Sequence, residues 1–265
     1  MNVSTYFDFS IDHWRARAES ELIPYQAMAV LEMGSLLVLA PHPDDEVFGC
    51  GGTLALAVDQ GSKVKVVVVS DGGAGGDAVL REAESRSAAR VLGYSVDDES
   101  LEFWRMPDRG IRPDDSLVQR IRHSLRLQDD ACVLAPSPFE VHPDHLAVCR
   151  AAIEAVSLEA ADGGRPRLAF FEVGHAQVCN RLIDITSVLA RKRAAMDCFT
   201  SQLAVQRYDE HVSALNRMRS YTLGPKVSHA ESFLMVDLEV AAAGAGGVLN
   251  HLIRSFALRL GGARG

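Results

Sequence analysis

Leu36-Leu37-Val38-Leu39-Ala40-Pro41-His42-Pro43-Asp44-Asp45-Glu46 is an apolar run that ends in a histidine and three carboxylates. A strand covered on both faces reads as such an unbroken apolar run. Charged residues at its carboxyl end then fall where open α/β sheets bind their ligands. The pattern returns later in the chain, where the apolar residues from Ala131 to Ala135 precede His142-Pro143-Asp144-His145. Two strand ends that each carry histidine and aspartate predict one site built from both.

Outward from these stretches, short apolar runs at 35–40, 64–69, 101–104, 131–135, 168–173 and 232–236 alternate with helical composition at 53–60, 79–92, 114–127, 145–160 and 184–204. The alternation predicts an α/β fold, a Rossmann-like three-layer α/β/α arrangement with a mostly parallel sheet. Residues 1–33 read as an N-terminal helical extension packed on the core, and 34–265 as a single domain. Asp162-Gly163-Gly164-Arg165-Pro166 reads as a turn rather than a linker. Gly49, Gly51 and Gly52 allow a sharp turn, after which Thr53 can begin a helix. Pro143 suits a first helical turn, and a helix starting there puts His142 and His145 on one face.

The composition excludes several classes of function. Non-specific nucleic-acid binding needs a basic footprint; this chain carries a formal net charge of −8, a pI near 5.6 and no Lys/Arg block. Its five cysteines are scattered without a C-x-x-C pair, which predicts no disulfide framework and a reducing compartment. Cys50, beside the first motif, reads as a small apolar side chain rather than a thiolate ligand. No apolar signal core stands near the N-terminus, and the small apolar run from Val240 to Ile253 is too short to span a bilayer. That run reads as a buried or interface helix, which leaves room for a homo-oligomer. A cytoplasmic protein with no transmembrane segment is expected.

Zinc favours imidazole and carboxylate ligands in a tetrahedron, and a catalytic site leaves one position for water. His42 and Asp45, three apart in a turn, can both reach one ion, and His145 would complete the set. Adjacent side chains such as Asp44 and Asp45 point in different directions, so one is a ligand and the other is free to act as a base. Zn²⁺ lowers the pKa of a bound water from 15.7 to about 7, within reach of such a carboxylate. His142, oriented by Asp144, could stabilise an oxyanion.

These motifs resemble the LmbE-like, or PIG-L, family of zinc-dependent de-N-acetylases. The likeness rests on Pro41 to Glu46 with Gly49-Cys50-Gly51-Gly52, and on His142-Pro143-Asp144-His145. Weaker matches include Arg81-x-x-Glu84, Pro107-Asp108, Asp184-Ile185-Thr186, Lys192, Ser201-Gln202 and Ala230-Glu231-Ser232-Phe233. The resemblance implies one Zn²⁺ per chain on His42, Asp45 and His145, with Asp44 as general base and His142, partnered by Asp144, at the oxyanion. It also implies that Arg81 and Asp108 contact sugar hydroxyls. The substrate would be a small N-acetylated amino-sugar conjugate, hydrolysed to acetate and a free amine. Some members have a tyrosine shortly before the second motif; Phe139-Glu140-Val141 stands here instead.

Three other readings compete. Gly73-Ala74-Gly75-Gly76-Asp77-Ala78 fits a dinucleotide-binding fingerprint, with Asp97 and Asp98 about 20 residues on. It follows the second expected strand rather than the first, and it leaves the His/Asp motifs unexplained; a loop over the sugar site accounts for the glycines better. A zinc amidase cleaving another amide conjugate would use the same clusters. A silent carbohydrate-binding relative would need neither Asp44 nor His142. Arg81 with Glu84 could also form a simple exposed helical pair, and Asp184 a helix cap.

Overall fold

The structure, a computed structural model, describes residues 23–236 together with 239, 240, 243, 244, 246–248 and 250. Its strands are β1 (Ser35–Ala40), β2 (Val64–Ser70), β3 (Leu101–Met106), β4 (Ala131–Pro136), β5 (Arg167–Phe171), β6 (Arg181–Asp184) and β7 (Ala230–Val236). They form one sheet in the order β3-β2-β1-β4-β5-β7-β6. The stretch from β3 to β5 is parallel, and β7 runs antiparallel to both β5 and β6. The α/β expectation and the mostly parallel sheet are met.

Helices cover both faces: α1 (Asp45–Asp59), α2 (Ala78–Leu92), α3 (Asp115–Arg126), α4 (Pro143–Ala161), α5 (Leu189–Met196), α6 (Thr200–Leu203) and α7 (Tyr208–Arg219). Alternate strand residues feed two separate cores. Leu36, Val38 and Ala40 pack with Leu54 of α1, Leu92 of α2 and Met196 of α5. Leu37 and Leu39 pack with Ile121 of α3 and Val148 and Val156 of α4. Each fully buried Leu or Val contributes about 1.5–3 kcal/mol, so the central strands are fixed from both sides.

Two expectations are corrected. The stretch 184–204 is not one helix. Leu182 pairs with Ser232 in the edge strand β6, Asp184 Oδ1 accepts the Thr186 N–H at 2.9 Å to turn the chain, and α5 and α6 follow as separate pieces. The helix expected from Thr53 begins at Asp45 and is interrupted at Cys50 (φ −141°, ψ 22°). Its glycines serve close approach: a Cβ on Gly49 would lie 2.3 Å from Phe171 Cδ2, and one on Gly52 2.6 Å from Ile185 Cγ2. Beyond the interruption, Glu231 caps the restarted helix, accepting the Gly52 and Thr53 N–H groups at 2.8 and 2.7 Å.

The helical extension expected over 1–33 falls mostly on residues 1–22, outside the described residues, while Val30–Met33 form one 3-10 turn. Much of the C-terminal helix expected over 240–253 lies outside them too. No helix among the described residues is long and apolar enough to cross a membrane.

The topology fixes where ligands go. β1 leads to β2 on one side and is flanked by β4 on the other, and α1 and α4 cover opposite faces. The loops after β1 and β4 therefore diverge and leave a crevice between them, the switch point of an open α/β sheet.

Candidate active site

Both His/Asp motifs meet in that crevice. His42 Nδ1 lies 3.2 Å from Asp45 Oδ2, His145 Nε2 lies 3.2 Å from the same oxygen, and the two nitrogens are 3.3 Å apart. Four-coordinate zinc with bonds of about 2.0–2.1 Å has ligand-to-ligand separations of about 3.3–3.4 Å, so this triangle fits the ion. The same His42 and His145 also come within 4.8 Å of a His142 nitrogen, as His42 does with Asp108 and Asp144 oxygens. The His42–Asp45–His145 triangle brings its three atoms within 3.2–3.3 Å of one another.

Carboxylates stand behind both imidazole rings. His42 Nε2 lies 3.2 Å from Asp144 Oδ2 and 3.3 Å from Asp108 Oδ1, so a proton on Nε2 leaves the Nδ1 lone pair turned inward. Behind His145, Glu140 Oε2 stands 3.8 Å from Nδ1, while Glu140 Oε1 accepts the N–H groups of Val173, Gly174 and His175. This places Asp144 differently from the sequence expectation. Its carboxylate meets His42 and the N–H groups of Arg109 and Ile111, not the His142 ring. His142 is the N-cap of α4, and its Nδ1 accepts the Asp144 backbone N–H at 3.2 Å.

Asp44 sits beside the triangle in a strained backbone conformation, φ 129°. Its N–H donates to Glu46 Oε2 at 3.0 Å, within the turn that enters α1. Arg81 Nη2 donates to Asp44 Oδ2 at 3.0 Å and to the Pro43 carbonyl at 2.8 Å, and Nη1 donates to the Gly72 carbonyl. Room for this guanidinium comes from the glycine loop: a Cβ on Gly72 or Gly75 would lie 2.6 or 2.7 Å from Arg81 Nη1. Of the dinucleotide-like glycines, Gly75 thus has a local structural reason. Arg81 and Glu84 are both buried and do not pair; Glu84 instead binds Thr200 and Ser201.

The electrostatics call for positive charge inside the triangle. Burial pushes His42 down, but the Asp144 and Asp45 carboxylates outweigh it and raise its pKa to about 10. Burial likewise opposes the Asp45 carboxylate that raises His145. Asp45 itself, despite burial, is held well below the usual carboxylate range by His145 and His42. For Asp44, burial and then the neighbouring Asp45 charge push the carboxyl well above its usual range, against Arg81. One carboxylate is thus locked as an anion while its neighbour holds a proton more readily, a separation that suits ligand and base.

These groups form the floor of a cavity of about 620 Å³. Tyr208, His211, Val212 and Leu215 of α7, spaced i, i+3, i+4 and i+7, line another wall with Phe48. The Phe48 ring packs 6.0 Å from that of Tyr208. Sequence spacing did not single out Glu140 or the α7 residues; Glu140 precedes His145 by five positions, a weak local signal.

A crevice of this kind, at the switch point of an α/β sheet, brings together histidines and carboxylates that could hold a metal ion. The model of the family described as PIG-L: GlcNAc-PI de-N-acetylase matches residues 37–156. A 4-oxalmesaconate hydratase of Pseudomonas putida is 30% identical over 208 residues, covering 68% of this chain and 78% of its own length. "Probable N-acetyl-alpha-D-glucosaminyl L-malate deacetylase 2" of Bacillus cereus is 27% identical over 209 residues, 69% of this chain and 90% of that one. The crystal structure of a conserved protein from Thermus thermophilus superposes with a TM-score of 0.67 at 31% identity, covering 76% of this chain and 94% of that one. The chain belongs to the PIG-L, or LmbE-like, deacetylase family.

Proposed function

We propose that the protein is a zinc-dependent hydrolase that removes the acetyl group from an N-acetylated amino-sugar conjugate. The convergence of His42 Nδ1, Asp45 Oδ2 and His145 Nε2 within 3.2–3.3 Å carries this reading. A zinc ion on those three atoms would supply an acidified water and polarise the acetamide carbonyl. Asp44 takes the proton from the attacking water and returns it to the nitrogen as the C–N bond breaks. His142, whose Nδ1 is occupied by the Asp144 N–H, has Nε2 left to donate to the developing oxyanion. Asp144 orients the His42 ring, and Glu140 stands 3.8 Å behind that of His145. Asp108, in the cavity wall, is the candidate contact for sugar hydroxyls, and Arg81 is held against Asp44.

A second reading is a hydratase, which adds water across a carbon–carbon double bond. It is favoured by the 30% identity to 4-oxalmesaconate hydratase, a likeness that covers 78% of that protein. One experiment separates them. Zinc-loaded protein is offered a panel of N-acetylhexosamine conjugates and, separately, unsaturated di- and tricarboxylates. Acetate release that stops with a chelator and returns with Zn²⁺ is the expected outcome. Loss of the ene absorbance with no acetate would establish the hydratase.

A further inference from the structure

The charges lining the cavity are unevenly committed. Each of its carboxylates already has partners: Asp44 with Arg81, Asp45 with His42 and His145, Asp108 with His42 Nε2 and the Ala74 N–H, and Glu140 with three backbone N–H groups. Two side chains that can donate hydrogen bonds differ. Arg109, from the loop after β3, and His211, from α7, line the same cavity, and their side chains pair with no described residue. Both are exposed, whereas the metal-site residues are buried, so they belong to its outer part.

An exposed arginine is usually just solvated. Arg109 has a second distinguishing feature. Its backbone is left-handed at φ 60°, and its N–H donates to Asp144 Oδ2 at 2.7 Å, the oxygen that also meets His42. A non-glycine residue is strained there and persists only where its surroundings impose it. The carboxylate that orients a ligand ring therefore also fixes where the Arg109 side chain departs. A guanidinium presents donors in a planar fork that suits a carboxylate or phosphate.

We infer that the outer cavity is a subsite for an anionic substituent, a carboxylate or a phosphate, on the part of the substrate away from the reacting bond, with Arg109 as its principal contact and His211 opposing it from α7. The net charge of −8 gives the protein no long-range attraction for such a molecule, so selection must come from local contact. The inference rests on the deacetylase reading only for its choice of probes.

The test uses zinc-loaded full-length protein and three N-acetylglucosamine conjugates that differ only at the end of a short anomeric alkyl chain. One ends in a carboxylate, one in a phosphate monoester and one in the methyl ester of the carboxylate. Calorimetric binding is read beside acetate release. At least one anion should bind about tenfold or more tighter than the ester. Arg109→Gln should erase that preference while leaving ester affinity and zinc content unchanged, and Arg109→Lys should keep part of it. Whichever anion binds tighter identifies the source. Equal binding of all three, or a preference that survives Arg109→Gln, overturns the inference. An Arg109-dependent preference with no acetate from any probe would sustain it and sink the deacetylase reading instead.

Discussion

Two buried charged centres lie along α1, one at its start and one at its interruption, and they are finished to different degrees. Lys192 is fully buried, and its Nζ donates to the Phe48 carbonyl at 3.0 Å, Asn216 Oδ1 at 2.9 Å and Glu231 Oε1 at 2.6 Å. Glu231 in turn accepts two backbone N–H groups and the Thr53 hydroxyl. All three ammonium donors are used, and both carboxylate oxygens are multiply bonded. In the crevice, by contrast, the lone pairs of His42, Asp45 and His145 face one another, while His145 Nδ1, Glu46 Oε1 and Arg81 Nε are buried without a hydrogen bond. A saturated ionic centre can only hold elements together. An unsaturated one keeps coordinating capacity in reserve, and that capacity is what chemistry can use.

The largest expected effect comes from removing a member of the open centre. His145→Ala should take zinc content, measured by elemental analysis, from about one ion per chain to near none and abolish acetate release. Unchanged occupancy would break the contrast outright. Asp44→Asn separates binding from chemistry within the same centre: zinc should stay while kcat falls by about 10²–10⁴. Near-full turnover in that variant would remove Asp44 as the base.

The closed centre should respond in stability alone. Lys192→Met leaves Glu231 buried without its counter-ion and should cost about 3–5 kcal/mol in urea unfolding, with zinc affinity per folded molecule unchanged. A change in affinity comparable to that of the ligand variants would show that the two centres are coupled. The smallest effect is expected at the outer edge of the open centre. Glu140→Gln should weaken zinc by about 10–100-fold, read by competition with a chromophoric chelator. An affinity equal to that of the parent protein would leave Glu140 with only its three backbone hydrogen bonds.

The sequence was legible where one physical signal dominated. Val64 to Val69, Lys65 apart, and the runs at Leu36 and Ala131 are apolar because both faces of their strands are covered, so the parallel core and the two strand ends that carry His and Asp could be read directly. Arg181-Leu182-Ile183-Asp184 was not legible as a strand: it is four residues long, sits at an edge and draws its identity from pairing with β7. Gly49 and Gly52 looked like a turn because glycine reports missing space as well as backbone freedom, and only the positions of Phe171 and Ile185 tell the two apart. In the site, local spacing suggested that Asp144 serves His142. Its carboxylate instead reaches across the crevice to His42, 102 residues away, a contact set by strand order rather than by spacing.

The pairing of β1 with β4 has a consequence for how the protein would acquire the proposed zinc. Before folding, the chain offers two separate local pairs, His42 with Asp45 and His142 with His145, and each is too small a donor set to grip an ion firmly. The third ligand arrives only when Ser35 to Val38 registers against Ala131 to Leu134, closing a separation of 103 residues between His42 and His145. A cation bound there favours the folded chain over the unfolded one, by about 2.7 kcal/mol at a hundred times its dissociation constant. Zinc would thus act as a fastener across the middle of the sheet, slowing amide exchange most in the two strands whose docking creates its site.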